Sequence, residues 1–189
     1  MRRLAINRLV NNFILPLVTV LLSLALACVA LGAWQPQPRM LENQLDAHGN
    51  SFSGLYDPAA NVFVGSARVV FTTAAVFEGG IEENRFNGQG VIKGEALDDE
   101  GVSHVWRFEG NFVNGRLEGR GSYSDHLGTY EGEFVNSLPN GQGVYVSNSG
   151  WRYEGEFLAG LMTGRGTLYL ADDVSSSGQF EDGLQISTN

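Results

Sequence analysis

The chain has 189 residues and a formal net charge of −9, and its 25 glycines are roughly twice the average share. After Trp34 it contains nine basic and 21 acidic residues, so this part carries a net charge of −12. Such a surface repels polyanions, which argues against nucleic-acid partners and anionic lipid headgroups. Cys28 is the only cysteine, which excludes an intrachain disulfide and a cysteine zinc site.

An uncharged, mostly apolar run extends from Phe13 to Trp34. As a helix, this length is sufficient to cross a hydrocarbon core of about 30 Å. Three arginines precede the run, so the positive-inside rule predicts a cytoplasmic amino terminus. We expect a single-pass signal anchor in a bacterial inner membrane, with residues 1–12 cytoplasmic, residues 13–34 transmembrane and everything after them outside the cytoplasm.

The alternative for this run is a secretory signal that is cleaved. The small residues of Ala25-Leu26-Ala27 are compatible with a cleavage site, but the apolar core of a signal is usually shorter, at about 7–15 residues. Its length favours an uncleaved anchor. Both interpretations place the acidic part of the chain outside the cytoplasm.

Two segments separate the apolar run from the regular part of the sequence. Residues 35–50 begin with Gln-Pro-Gln-Pro and continue as a polar, mixed stretch, which predicts a linker. Residues 51–76 contain incomplete landmarks of the repeat described next. We expect this segment to form a degenerate capping hairpin.

The stretches that begin at Tyr130 and Tyr153 repeat the same landmarks at the same spacing. Counted from the first aromatic residue, aromatic side chains occupy positions one and five, glycines positions three, twelve and fourteen, and a bulky residue position sixteen. Further copies begin at Phe77 and Phe108, and a partial copy begins near residue 176. Self-similarity of this period predicts a repeat array over residues 77–189, in which each unit is one supersecondary element.

Alternation of period two in each half of a repeat predicts two β-strands, and the six residues between positions five and twelve predict a hairpin loop. Pairing position five with position twelve then places one opposite sixteen and three opposite fourteen. Each ring at position five would cover a glycine across the hairpin. The ring would then bury apolar surface at a position where the glycine has no side chain to pack. The expected ring–glycine pairs are Phe112–Gly119, Phe134–Gly141 and Phe157–Gly164, and the expected pairs on the other face are Glu133–Gln142 and Glu156–Arg165.

One interval between repeats is longer than the others. The separation of Phe77 from Phe108 exceeds that of Phe108 from Tyr130, and the next interval, from Tyr130 to Tyr153, is again short. The additional residues lie around positions 93–105 and include Asp98-Asp99-Glu100-Gly101. We expect two longer strands joined by a protruding acidic turn.

The spacing of aromatic residues and glycines resembles the MORN repeat (membrane occupation and recognition nexus) from about Phe77 to Gly183. Ile81 replaces an aromatic residue, and Asn84 and Ser137 replace the glycine that is frequent at position eight. The resemblance implies an all-β fold, an elongated single antiparallel sheet of tandem β-hairpins. It further implies a scaffold or interaction module, and it supplies no catalytic residues.

The sequence contains no recognisable catalytic, cofactor or metal motif. Gly141-Gln142-Gly143 lies within a predicted strand and recurs in every repeat, unlike a phosphate-binding loop. The acidic stretches at residues 98–100 and 172–173 lack the spacing of a calcium loop. We therefore predict a non-enzyme without cofactor or metal, in which three histidines far apart in sequence are surface or strand residues: His48, His104 and His126.

The aromatic face is the remaining candidate site. A single-layer sheet cannot bury both of its faces, so we expect some rings to be open to a partner peptide or a second copy of the chain. We predict a membrane-anchored scaffold that binds a protein partner, and the alternative is a lipid- or envelope-polysaccharide-binding module, anchored or secreted. The candidate partner-binding residues are Phe112, Tyr130, Phe134, Tyr153 and Phe157.

Overall fold

The computed structural model describes residues 36–170 and 174–188. They form one antiparallel sheet of 13 strands, in which the order of strands across the sheet is their order in the sequence. The prediction of an all-β, single-sheet fold is confirmed. The predicted transmembrane segment, residues 13–34, lies outside the described residues, and within them no helix has the length and hydropathy needed to cross a membrane.

Adjacent strands in such a sheet are about 4.8 Å apart, so 13 of them extend about 58 Å along the array. Strand lengths range from five to 13 residues. The strands are β1 (Arg39–Leu45), β2 (Ser51–Asp57), β3 (Val62–Val70), β4 (Val76–Glu82), β5 (Arg85–Leu97), β6 (Ser103–Val113), β7 (Arg116–Ser124), β8 (Gly128–Val135), β9 (Leu138–Ser147), β10 (Arg152–Leu158), β11 (Leu161–Tyr169), β12 (Ser175–Glu181) and β13 (Leu184–Thr188).

The sheet begins earlier than the sequence suggested. Strand β1 lies inside residues 35–50, which were expected to be a linker, and it pairs with β2. The polar composition of β1 concealed it, because six of its seven residues are exposed at the edge of the sheet. Strands β2 and β3 form a hairpin within residues 51–76, and β5 and β6 are the two longest strands, joined by the acidic turn at residues 98–102.

The hairpin turns inside the repeats contain two residues, and the expectation of six-residue loops is wrong. In the turn between β8 and β9, Asn136 and Ser137 have φ angles of 53° and 64°. Two consecutive residues with positive φ are typical of a type I′ turn, which matches the right-handed twist of the flanking strands. Four further turns have the same geometry: Glu83-Asn84, Asn114-Gly115, Ala159-Gly160 and Asp182-Gly183.

A β-bulge in each of the four complete hairpins explains the shorter turns. Gly132 lies opposite Gly143 as predicted, but the register then shifts by two residues and Phe134 lies opposite Pro139. Gly141 is in the bulged segment with φ of 99°, a conformation that a residue with a side chain rarely adopts. The predicted pairs of positions one with sixteen and three with fourteen are correct, and the pair of positions five with twelve is wrong.

Each ring at position five instead lies opposite a glycine of the preceding repeat. Phe134 is the Cα partner of Gly119, and Phe157 is the partner of Gly141. The position-twelve glycine thus pairs with the next hairpin, whereas in its own hairpin it lies in the bulge. The ring–glycine pairs in the structure are Phe112–Gly88, Phe134–Gly119, Phe157–Gly141 and Phe180–Gly164.

The predicted charge pairs on the other face change for the same reason. Glu156 lies opposite Gln142 of the preceding repeat, and opposite Thr163 in its own hairpin. Its carboxylate accepts a hydrogen bond of 3.0 Å from the backbone N–H of Arg165 beside the bulge. Glu133 lies opposite Arg120 and not opposite Gln142.

A repeated backbone hydrogen bond ties each turn to the hairpin before it. The N–H of the second turn residue donates to the carbonyl of position ten in the preceding repeat, as in Gly160 to Pro139 at 2.9 Å. The pattern continues the ladder past the bulge, so the turns are fixed and do not form free loops. The other bonds of this kind are Gly115 to Phe86, Ser137 to Leu117 and Gly183 to Met162.

Candidate functional site

The rings of the repeats form one continuous seam along one face of the sheet. The ring at position one of each repeat contacts the ring at position five of the next repeat. Tyr130 and Phe157 have centroids 4.8 Å apart, and Tyr153 and Phe180 are equally close, both nearly edge to face. Such edge-to-face contacts are favourable because the positive edge of one ring meets the negative face of the other.

The ring at position one also covers two glycines of its own hairpin. A Cβ built on Gly143 would lie 2.5 Å from Cε2 of Tyr130, and one on Gly132 would collide with the hydroxyl of the same tyrosine. Gly166 and Gly155 have the same relation to Tyr153. The predicted principle of rings over glycines is therefore correct, but the covered glycines are at positions three and fourteen.

The seam tyrosines keep their hydroxyls satisfied within the sheet. Tyr130 Oη donates to the carbonyl of Glu133 at 2.9 Å, and Tyr153 Oη lies 3.2 Å from the carbonyl of Glu156 and 3.1 Å from that of Thr163. Burial raises the pKa of Tyr130, and it raises the pKa of Tyr153 to about 12. These phenols are structural donors and remain neutral over the physiological range.

All five predicted partner-binding rings belong to the seam, and each is at most 2% exposed: Phe112, Tyr130, Phe134, Tyr153 and Phe157. The expectation that some of them are open to a partner is therefore wrong for this structure. Rings of successive repeats contact one another, so the seam residues are buried without a second layer in the described part of the chain.

The opposite, outer face of the sheet carries exposed charges in register. Arg152 and Glu154 form an ion pair of 3.1 Å, and Arg68 and Glu78 form another of 3.1 Å. Arg152 also lies over the ring of Tyr169, 4.0 Å from its centroid. Exposed pairs of this kind contribute about 0–1 kcal/mol each. They keep the outer face soluble more than they stabilise the sheet.

The hairpins that carry the ring–glycine seam lie in the part of the chain that matches a known repeat family. Residues 108–126, 130–152 and 153–174 match the MORN repeat family. This part of the chain carries three MORN repeats. MORN repeats are in general modules for interaction with proteins or lipids. No curated protein is significantly similar to the chain.

The MORN array also has an apolar strip on its outer face, next to the turns. Positions six and nine pair across each hairpin there, and both are apolar in two hairpins, as Val135 with Leu138 and Leu158 with Leu161. The other two strip residues lie opposite charged side chains, Val113 opposite Arg116 and Leu184 opposite Glu181. Leu158 is 59% exposed and Val135 is 46% exposed. Their partners Leu138 and Leu161 are half-buried, and Leu138 also packs against the buried core. We define the turn-edge strip as Val113, Val135, Leu138, Leu158, Leu161 and Leu184.

The strip was not predicted because the aromatic and glycine landmarks carry no information about it. The signal that could have revealed it is the recurrence of Val or Leu one residue after the position-five ring, at Val113, Val135 and Leu158. In the repeat that begins at Phe77, the two paired positions beside the turn are Glu82 and Arg85. The strip is therefore a feature of the later MORN repeats.

Two histidines that are distant in sequence meet beside the array. The rings of His104, on β6, and His126, in the loop after β7, stack with centroids 3.9 Å apart. His104 Nε2 lies 2.7 Å from Oδ2 of Asp98, in the turn between β5 and β6. The hydrogen bond with His104, aided by the backbone N–H of Val102, lowers the pKa of Asp98 to about 2.

This cluster ties the protruding β5–β6 hairpin to the next repeat. Asp98 Oδ1 also accepts the backbone N–H groups of Glu100 and Val102, so that oxygen already serves the turn. In residues 36–170 and 174–188, no group of three or more His, Cys, Asp or Glu side chains could hold a metal ion. His48 is exposed in the turn after β1, and Asp172 and Asp173 lie outside the described residues.

Proposed function

We propose that the chain is a membrane-anchored, non-catalytic scaffold that displays its MORN array outside the cytoplasm and binds a protein partner there. The single observation that carries this proposal is the division of the sheet into two faces. The seam face is closed by its own rings, and the outer face presents exposed charges and the turn-edge strip at regular intervals. A rigid surface with periodic side chains is suited to holding an elongated partner.

The anchored topology rests on the sequence that precedes Gln35. A long apolar run after three arginines supports a retained helix with the array on the far side. The test is the mass of the protein isolated from membranes of expressing cells, together with protease protection in spheroplasts. An intact amino terminus and digestion of the array from outside are expected. A start near residue 28 or 33, or protection of the array, would overturn the anchored topology.

The partner class is tested on the full chain in its own membrane. A photo-crosslinking residue placed at exposed outer-face positions, such as Glu131 and Glu154, is expected to capture a protein band of defined mass. The same residue at Asn148, in a connecting loop, serves as the matched control. Labelling that is equal at all three positions, or the absence of any protein band, would contradict protein binding.

Liposome flotation distinguishes the alternative of lipid recognition. The part of the chain after Trp34 has a net charge of −12 and is poorly matched to anionic headgroups. We therefore expect the full chain, reconstituted in proteoliposomes, not to recruit additional anionic vesicles. Recruitment that weakens with salt would favour lipid binding and contradict the protein-partner proposal.

A further inference from the structure

We propose that the turn-edge strip is the docking site for an amphipathic helix with basic flanks. This inference rests on the proposed function, since it assigns a surface and a partner class to the same array. Along the strip, exposed apolar side chains recur at position six of three successive repeats, where Val113, Val135 and Leu158 are 41%, 46% and 59% exposed. Leu184, at position nine of the partial repeat, is 50% exposed.

The spacing of the strip favours a helix over an extended strand. Equivalent positions in neighbouring repeats are two strands apart, which is about 9.6 Å. Residues one heptad apart on a helix are separated by about 10.5 Å, so a helix inclined by about 25° to the array presents one heptad to each hairpin. Within a hairpin, the directly paired Val135 and Leu138 match the closely spaced a and d positions of one heptad.

An extended peptide fits the same surface poorly. Side chains on one face of a strand recur about every 6.8 Å, which is out of step with the interval between hairpins. A helix therefore places an apolar side chain at every hairpin it crosses, whereas a strand does so only at intervals. Because the sheet twists, the two central pairs, Val135–Leu138 and Leu158–Leu161, carry most of the contact.

Charge around the strip determines the flanks of the partner. Strands β8 and β10 each place two glutamates at alternate positions before the strip residue, on the same face as that residue: Glu131, Glu133, Glu154 and Glu156. Three arginines partly offset them. Arg120 lies opposite Glu133, and Arg152 forms an ion pair of 3.1 Å with Glu154. Arg116 donates to Asn136 Oδ1 at 2.6 Å beside the strip. The part of the chain after Trp34 keeps a net charge of −12, so complementary flanks are basic.

The size of the strip argues against a second copy of the chain as the occupant. A stable dimer interface involves roughly 20–30 residues on each side, whereas the strip offers six. A second copy would also bring the same glutamates, such as Glu133 and Glu156, against its own equivalents. A single helix needs only a narrow apolar groove and gains from the acidic surroundings.

The chain itself provides the design for variants that keep the fold. Glu82 and Arg85 pair at the equivalent positions of an earlier hairpin, so Val135→Glu with Leu138→Arg, and Leu158→Glu with Leu161→Arg, copy a pair the sheet already accepts. The matched control is Val105→Glu, a 63% exposed residue on the protruding β5–β6 hairpin outside the strip. Unchanged far-ultraviolet circular dichroism and thermal unfolding verify folding of each variant.

The probe is a fluorescent synthetic peptide of three heptads, with leucines at the a and d positions and lysines elsewhere. The full chain is reconstituted in nanodiscs of zwitterionic lipid, and binding to empty nanodiscs is subtracted. Two comparison peptides have the same length, one with glutamate for lysine and one with leucines alternating at period two. Fluorescence anisotropy should show binding of the basic helical peptide to the wild-type protein and to Val105→Glu. The four-substitution variant should bind at least tenfold more weakly.

Three results would overturn the docking site: equal affinity for the wild-type protein and the four-substitution variant, equal affinity for the period-two peptide, or stronger binding of the glutamate peptide. The crosslinking experiment described for the proposed function distinguishes failure of the docking site from failure of the scaffold function. If a membrane protein is still captured in the four-substitution variant as in the wild type, the scaffold function stands and the strip is not its site. If neither captures a protein, the scaffold function itself fails.

Discussion

At the scale of single residues, the seam consists of buried rings that pack against glycine backbone. Phe134 illustrates the arrangement, since it contacts Tyr130 in its own repeat and Phe108 in the preceding one, and is 1% exposed. Val135, the next residue, points to the other face. Adjacent side chains in one strand therefore have different environments, one buried in the seam and one exposed on the outer face.

We expect Phe134→Ala to lower the free energy of unfolding by about 3–5 kcal/mol, because it removes a buried ring and leaves a cavity between repeats. Val135→Ala, the matched exposed substitution, should change it by about 0.5 kcal/mol or less. Urea unfolding followed by near-ultraviolet circular dichroism measures both. Equal effects of the two substitutions would mean that the seam does not stabilise the array.

The Asp98–His104 contact gives a second prediction at this scale. The folded pKa of Asp98, about 2, lies below its value in an unfolded chain, about 3.9. Its contribution to stability is therefore fully present above about pH 4 and is lost as the pH falls toward 2. Carboxyl carbon NMR titration should give a pKa near 2 in the wild-type protein and a higher one in His104→Ala. The same pKa in both proteins would contradict the assigned hydrogen bond.

At the scale of the element, the hairpin is defined by its turn and its bulge together. The two-residue turn requires positive φ at both positions, and the bulge requires it at the position-twelve glycine. Ala159 occupies the first turn position with φ of 49°, a conformation unfavourable for alanine by about 1–2 kcal/mol. The equivalent residues Asn114 and Asn136 tolerate it better.

We therefore expect Ala159→Asn to stabilise the protein by about 1 kcal/mol, because Asn-Gly is a preferred pair for a type I′ turn. The midpoint of thermal unfolding should rise by about 2–4 °C in a domain of this size. Ala59→Asn, at an exposed loop position without positive φ, is the control and should leave it unchanged. A decrease for Ala159→Asn would show that the turn has another geometry.

The sequence predicted the strands of the repeats, the hairpin unit and the rings over glycines, because period-two alternation and recurring Gly-x-Gly depend on local chain geometry. It did not predict β1, whose residues are polar and mostly exposed. It did not predict the register near the turns. Gly141 and Gly143 are both glycine in the sequence, yet one supplies positive φ to a bulge and the other clears space for Tyr130. That distinction depends on the neighbouring hairpin. The stacked histidines were missed for the related reason that His104 lies in the long interval between repeats.

At the scale of the whole molecule, each of the described strands pairs only with its neighbours in the sequence. Equivalent residues of successive repeats have equivalent partners, as when Phe134 and Phe157 each lie opposite the position-twelve glycine before them. The sheet is therefore a linear array in which interfaces between repeats are interchangeable.

This interchangeability predicts that deletion of residues 130–152 leaves a folded protein. Gly119 would then meet Phe157 in the way it now meets Phe134, and the array would be shorter by two strands, about 10 Å. Deletion of residues 130–140 removes most of β8, the turn and the first three residues of β9, and should unfold the carboxyl-terminal repeats. Small-angle X-ray scattering and circular dichroism distinguish the outcomes. Equal unfolding in both deletions would refute independent repeats.

The offset contact of each position-five ring with the glycine one repeat earlier gives the array a direction of assembly. During synthesis, each new hairpin can pack on the hairpin that precedes it in the chain. Phe157, for example, packs opposite Gly141, which has already been synthesised. None of the described strands has to wait for a distant segment of the chain. The sheet can thus fold from its amino-terminal end while synthesis continues, so that only a short unfolded segment is exposed at any moment.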